Sequence, residues 1–208
     1  MGSESRQAHW EDVYTRKGEK EVSWFEENPA PSLELIAAVA PTNDLAIIDI
    51  GGGASRLVDS LIEKGFRDIT VLDLSFAALE AAKTRLGERA EQAHWLVADA
   101  TSWEPSETYD IWHDRAAFHF LTEEQDRVAY VARLRRGLKA GGHAIIATFG
   151  PDGPERCNLR VERYDATSLG QTLGPGFELV DTRQHTHVTP WGSTQSFQFS
   201  IFRRVASS

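Results

Sequence analysis

The chain has 208 residues, 41% of them apolar, one cysteine and a formal net charge of −9. That length suits one sizeable core and is short for two independent domains, and a single cysteine excludes an internal disulfide. No apolar run approaches the ~20 residues of a membrane span, and the acidic balance argues against a nucleic-acid partner, which calls for a basic patch.

The polar start from Met1 to Asp12 lacks the apolar core of a signal peptide, and Arg6 stands where myristoylation of a Met1-Gly2 start needs Ser or Thr. A cytoplasmic protein with no membrane partner is therefore the expectation. Residues 1–44 read as a helical segment of the same domain, set before a core at 45–208. Helices are expected near 5–16 and 32–39, with Trp10, Tyr14, Trp24 and Phe25 dense among charged residues. The plain reading is an amphipathic helix and a loop packed on the core.

The run Leu45 to Ile50 is short, apolar and β-branched, which suits a strand buried on both faces. Gly51-Gly52-Gly53 then allows a sharp turn, and Leu57, Val58, Leu61 and Ile62 recur at helical spacing near 54–64. Strand, glycine turn and helix in that order bring a ligand to the carboxyl end of the first strand. A dinucleotide turn wants G-x-G-x-x-G, but Arg56 fills its third place, and Asp49 before the turn repels a pyrophosphate while suiting an amino group.

A second strand near 69–73 ends at Asp73, 24 residues beyond Asp49, close to the spacing at which a strand-end acid binds ribose hydroxyls. After a helix near 76–87, a third strand near 94–98 leads into Asp99-Ala100. One such Asp is commonly a helix cap or turn residue. Three in register after three strands point to a cofactor.

A fourth strand near 109–113 is followed by His113 to Phe120, and a helix near 122–138 ends in Arg133, Arg135, Arg136 and Lys139, cations that complement the helix dipole. A strand near 142–149 opens the glycine- and proline-rich loop Phe149 to Cys157, where Arg156 is a candidate contact for an acidic acceptor and Cys157 reads as an unreactive thiol. Beyond a helix near 165–172, strands near 177–183 and 195–203 flank the turn Thr189-Pro190-Trp191-Gly192 and should pair as a hairpin. His185 and His187 share a face, yet the spacing brings no Cys or carboxylate to them, so no metal is expected. The fold class that follows is α/β: a single Rossmann-like, doubly wound, seven-stranded sheet, mainly parallel, with a C-terminal antiparallel hairpin.

The D-x-G-x-G-x-S of Asp49 to Ser55, Leu72-Asp73, Ala98-Asp99-Ala100 and Leu138-Lys139-Ala140-Gly141-Gly142 resemble the successive motifs of class I S-adenosylmethionine (SAM)-dependent methyltransferases, over roughly residues 8 to 204. The resemblance implies SAM as cofactor and S-adenosylhomocysteine as product. It implies a cofactor site of Asp49, Gly51, Gly53, Asp73, Leu74, Asp99, Ala100 and His113, with Asp99 at the adenine amine. His9-Trp10-x-x-x-Tyr14 and Glu21-Val22-Ser23-Trp24-Phe25 look like the openings of two branches: thiopurine-type small-molecule methyltransferases, and lysine methyltransferases acting on elongation factor or citrate synthase. In both the segment closes over SAM, which assigns Trp10, Tyr14 and Trp24 to a lid.

The acceptor site is expected after the fourth strand, where Asp114 is placed to orient or deprotonate an acceptor and His119 to take a proton. An Asp114–Arg115 ion pair is the structural alternative. Asp114-Arg115-Ala116-Ala117 matches the thiopurine-type turn more closely than the Asp-Lys-Gly-Thr-like turn of the lysine branch. The expected partner is a small thiol, amine or carboxylate, or else an exposed protein lysine. A nicotinamide dehydrogenase and a non-catalytic SAM-binding protein are the other readings.

Overall fold

The computed structural model describes residues 3–205; the Met1-Gly2 start on which the myristoylation reading bears lies outside them. Helix α1 (Ser3–Arg16) leads through a 3-10 turn at Glu19–Glu21 to α2 (Ala30–Val39). There follow β1 (Ala46–Ile50), α3 (Leu57–Glu63), β2 (Asp68–Asp73), α4 (Phe76–Leu86), β3 (His94–Val97), β4 (Tyr109–Arg115), α5 (Glu124–Gly137) and β5 (Leu138–Phe149). A small pair, β6 (Arg156–Cys157) and β7 (Leu159–Arg160), precedes α6 (Ala166–Leu173) and the long hairpin β8 (Phe177–Val188) and β9 (Thr194–Arg204).

Seven strands form one sheet in the order β3-β2-β1-β4-β5-β9-β8. β1 to β5 run parallel, and β9 and β8 are antiparallel additions. The winding reverses between β1 and β4, the crevice in which open α/β sheets bind ligands. This is the α/β architecture that the sequence led us to expect.

The pleat sorts the core into two faces. β1 is buried at every position; Ile47 joins Leu35, Leu57, Leu61 and Leu79 under α2, α3 and α4, whereas Ile48 and Ile50 join Trp112, Tyr130, Leu134 and Leu169 under α5 and α6. A strand covered on both sides needs apolar residues at successive positions, which is why this segment reads as a continuous run. Several strands run further than hydropathy suggests. β5 starts at Leu138, β8 reaches Val188, and β4 continues to Arg115. The β6–β7 pair had no signal beyond a turn-rich loop, and Arg156 is exposed on it.

Helix α1 is fastened to the start of α4. Ser75 caps α4 by accepting from the Ala78 N–H at 3.1 Å and donates to Glu11 at 2.8 Å, and the Glu11 carboxylate also accepts from the Ala77 N–H at 3.2 Å. A carboxylate suits a helix N-terminus because four amides there lack intrahelical partners and the dipole is positive. Among the described residues no helix is long and apolar enough to cross a membrane. Ser75→Ala removes the cap and the tie to Glu11 together, so urea denaturation should show a loss of about 1–2 kcal/mol; an unchanged midpoint at constant slope would refute this account of how α1 docks.

Candidate active site

The glycine turn after β1 folds back on β2, with the Gly51 and Gly52 amides donating to Leu72 O at 2.7 and 3.3 Å. Gly51 has φ 68°, and a Cβ there would lie 2.8 Å from the Ala117 Cβ; a Cβ on Gly53 would lie 2.8 Å from Asp73 Oδ2. Only glycine fits such a cradle. Across from it Ala116 holds φ 73°, a left-handed conformation that costs a non-glycine residue about 1–2 kcal/mol. Ala116 is fixed by its amide, which donates to Ala147 O at 2.9 Å, and the next two amides, of Ala117 and Phe118, donate to Asp114 Oδ1 at 2.9 and 3.1 Å.

Asp114 therefore does not face the crevice. Because β4 extends through Arg115, the pleat sends Asp114 to the α5 side, where it is fully buried and accepts from Tyr130 Oη at 2.6 Å. Burial raises its carboxyl to about 6 against the pull of these three donors. The expectation that Asp114 lines an acceptor pocket is corrected: it shapes the turn from behind. The alternative Asp114–Arg115 ion pair is also absent, since neighbours on a strand point to opposite faces. Arg115 instead pairs with Glu26 at 2.9 Å, donates to Trp24 O at 2.9 Å and stacks over Phe197 at 4.9 Å.

The other acids stand at the strand ends. Asp49 accepts from His113 Nδ1 at 2.7 Å, and His113 Nε2 meets Ser32 Oγ at 2.9 Å, a buried relay from β1 through β4 to the start of α2. Asp73 accepts from the Ser75 amide at 2.8 Å. Burial pushes its carboxyl up to about 7; the amides of Ser75 and Leu74 oppose this, and Asp49 and Glu11 add to it. Asp99 accepts from the Thr101 amide and hydroxyl at 2.8 and 2.7 Å and from Arg6 at 3.1 Å, and Arg6 also bridges to Asp126.

A cavity of about 110 Å³ runs along the carboxyl ends of the strands. Asp73, Leu74, Asp99, Ala100 and Arg6 line the part over β2 and β3; Trp10, Tyr14, Trp24, Phe120, Phe149, Phe197, Cys157, Arg115 and His119 line the part over β4, β5 and β9, and Gly51 lies between. The structure thus brings together Trp10, Tyr14, Trp24, Gly51, Asp73, Leu74, Asp99, Ala100 and His119. Asp49 and His113 line an adjoining pocket that shares Tyr14, Trp24, Gly51 and Arg115 with the first. Gly53 borders neither, packing between Asp73 and Ala78.

Aromatic edges close the cavity from the N-terminal side: Trp10 meets Phe120 at 4.9 Å and Trp24 at 5.5 Å, and Trp24 Nε1–H donates to Tyr14 Oη at 3.0 Å. His119 is completely buried, and its Nδ1 accepts from the Phe149 amide at 3.1 Å. Burial, with Arg115 adding to it, pushes the imidazole down to about 3, so it is neutral at physiological pH.

Several functional neighbours were invisible in the sequence. Arg6 sits in the polar first turns of α1, and Phe149 and Phe197 look like ordinary strand residues. The carboxylate partner of the two histidines is Glu26, 3.2 Å from His187 Nδ1 and 3.9 Å from His185 Nε2, which corrects the view that they lack one. Only the fold brings residue 26 beside residues 185 and 187.

A family model described as a methyltransferase domain matches residues 47–142, from β1 into β5. Over 167 residues the chain is 32% identical to a trans-aconitate 2-methyltransferase of Rhizobium etli, a match covering 79% of this chain and 60% of that protein. The chain therefore spans less than two thirds of that relative's length. It is 28% identical over 189 residues to EEF1A lysine methyltransferase 2 of Danio rerio, covering 83% of this chain and 75% of that one. Among solved structures, the N-methyltransferase NodS of Bradyrhizobium japonicum in complex with S-adenosylhomocysteine matches with a TM-score of 0.71 at 17% identity, over 93% of this chain and 97% of its own. At that identity the likeness speaks for the fold alone. The stretch matched as a methyltransferase domain carries the Asp49–Gly53 turn and the strand-end acids Asp73 and Asp99 together, and in it the chain is similar to methyltransferases.

Proposed function

We propose that this protein transfers a methyl group from SAM to a small-molecule acceptor. The observation that carries the reading is one continuous cavity with carboxylates at its β2–β3 end and aromatic rings at its β4–β5 end. The glycine cradle, which a Cβ at Gly51 or Gly53 would fill, fits a cofactor that must approach the backbone closely. SAM supplies a sulfonium-activated methyl group. Asp73 accepts the ribose hydroxyls, Asp99 the adenine amine beside Arg6, and Leu74 and Ala100 flank the ring. Asp49, oriented by His113, serves the amino group of the methionine end. Trp10, Tyr14 and Trp24 cover that end, so residues 1–44 act as a lid on the 45–208 core. Aromatic faces there suit a cationic sulfur.

The aromatic closure favours a compact acceptor over a long protein side chain. Protein-lysine methylation is the second reading, supported by the Danio rerio relative. A cytoplasmic location accords with a single cysteine and with the lack of a membrane-spanning helix among the described residues.

Labelled SAM incubated with a cell lysate should leave label in the soluble small-molecule fraction, with Asp73→Ala as the blank; label confined to a discrete protein band would replace the first reading by the second. In calorimetry Asp73→Ala should weaken S-adenosylhomocysteine binding at least about tenfold, since each charge-assisted hydrogen bond contributes about 1.5–3 kcal/mol, and unchanged affinity would remove Asp73 from the site.

The same carboxylate should oppose stability once it ionises. A carboxyl raised to about 7 in the fold contributes stability that is complete below the ordinary carboxylate range and is lost as pH rises through about 7. The thermal midpoint of the ligand-free protein should accordingly fall from about pH 5 to about pH 8, Asp73→Asn should flatten part of that fall, and at about pH 8 the variant should be the more stable. Parallel pH slopes for the two proteins would contradict the burial of an ionising Asp73.

A further inference from the structure

Resting on the methyltransferase reading, we propose that the acceptor is a small anion, its reacting oxygen or sulfur already ionised in water, and that His119 holds it as a hydrogen-bond donor and does not act as a base. The tautomer of His119 is set by geometry. A backbone amide can only donate, so the Phe149 N–H at 3.1 Å makes Nδ1 the acceptor, and the ring proton sits on Nε2. Nε2 is buried with no hydrogen-bond partner among the described residues, and the residue lines the cavity. A buried N–H left unpaired costs free energy that a ligand oxygen or sulfur recovers.

The surroundings of His119 keep it neutral and offer an acceptor at that end no base. Its ring packs against Phe120 at 4.5 Å and Phe149 at 4.6 Å, and the charged group acting on it is Arg115. Cys157, on the same wall, has its thiol pushed up by burial. Among the described residues the carboxylates lining the cavity are Asp73, at the end of β2, and Asp99, just beyond β3, across β1 from the His119 end. Asp114, the remaining candidate base, is on the other face with its oxygens taken. An ammonium acceptor would need a base to lose its proton, and among the described residues that end of the cavity offers none.

An anionic acceptor needs neither. Its lone pair forms the new bond to the methyl carbon while the carbon–sulfur bond of the sulfonium breaks and leaves its electron pair on sulfur. The positive and negative charges cancel, and no proton moves. Carboxylates, and thiols acidic enough to be thiolates near neutral pH, share this chemistry; an ordinary thiol, with a pKa of about 8.5, still has a proton to lose.

The first test reads the tautomer without turnover. Long-range ¹H–¹⁵N spectra of the ligand-free protein should show His119 as a neutral Nε2–H imidazole that does not titrate from about pH 5.5 to about pH 8.5. The second offers carboxylates, heteroaromatic thiols that ionise near neutral pH and primary amines, each with saturating SAM. Turnover of a carboxylate or of a thiol is expected, and which one reacts names the source. His119→Phe should lower kcat/KM about 100-fold with S-adenosylhomocysteine affinity unchanged, while His119→Gln, which keeps an N–H donor, should recover part of the loss. A His119 that titrates in this range, or turnover confined to amines, overturns the proposal and leaves methyl transfer standing. Failure of the wild-type protein to bind S-adenosylhomocysteine overturns both.

Discussion

Each residue of a parallel strand covered by helices on both sides must face one layer or the other, and this alternation decides what the site contains. β1 and β4 lie side by side with Asp49 opposite His113 and Ile50 opposite Asp114. Asp49, His113 and Arg115 consequently share one face, and Ile50, Trp112 and Asp114 the other. The carboxylate that looks catalytic is carried away from the crevice by one step of the pleat. There it binds the amides of Ala117 and Phe118 and so holds the left-handed turn at Ala116 against the glycine cradle. Strain of this kind persists only where the surroundings over-determine it.

The N-terminal segment is joined to this frame through charge. Arg6 reaches Asp99 and Asp126, Glu11 caps α4, Glu19 binds Arg56 and Arg85, and Glu26 binds Arg115 and His187. Such pairs are mostly withdrawn from solvent, and desolvation offsets much of their Coulomb attraction. Their contribution is to register more than to net stability: each tie has one geometry, so together they fix where Trp10, Tyr14 and Trp24 lie over the cavity. Arg56 combines two roles in the same way, since the side chain that breaks the dinucleotide glycine pattern is the one that anchors the turn before α2.

The cavity joins two chemically distinct halves. Over β2 and β3 the walls carry Asp99 and Asp73, and burial opposes the ionisation of Asp73. Over β4, β5 and β9 they carry rings, one arginine already paired to Glu26, and an imidazole whose Nε2 has no partner among the described residues. In a site of low polarity each unpaired donor or acceptor weighs heavily, and this division orients any ligand that spans the cavity.

Much of this is legible in the sequence where the signal is local. The strand, glycine turn and helix around Asp49 to Ile62, the acids at Asp73 and Asp99, and the terminal hairpin are all short-range patterns of hydropathy and backbone freedom, and they suffice for the fold class and for most residues that line the β2–β3 end of the cavity. What the sequence could not carry were choices made between segments far apart. Hydropathy ends β4 two residues early, because His113, Asp114 and Arg115 are polar and their burial depends on β1, α5 and residue 26. The pairing of Glu26 with His187, of Arg6 with Asp99, and of the Phe149 amide with His119 Nδ1 spans from 30 to 161 positions of chain. Sequence by itself determined the elements and their acids, since periodicity and glycine conformation are local properties. Tertiary structure alone decided which acid faces the cavity and which nitrogen of His119 bears the proton, because both follow from packing between elements.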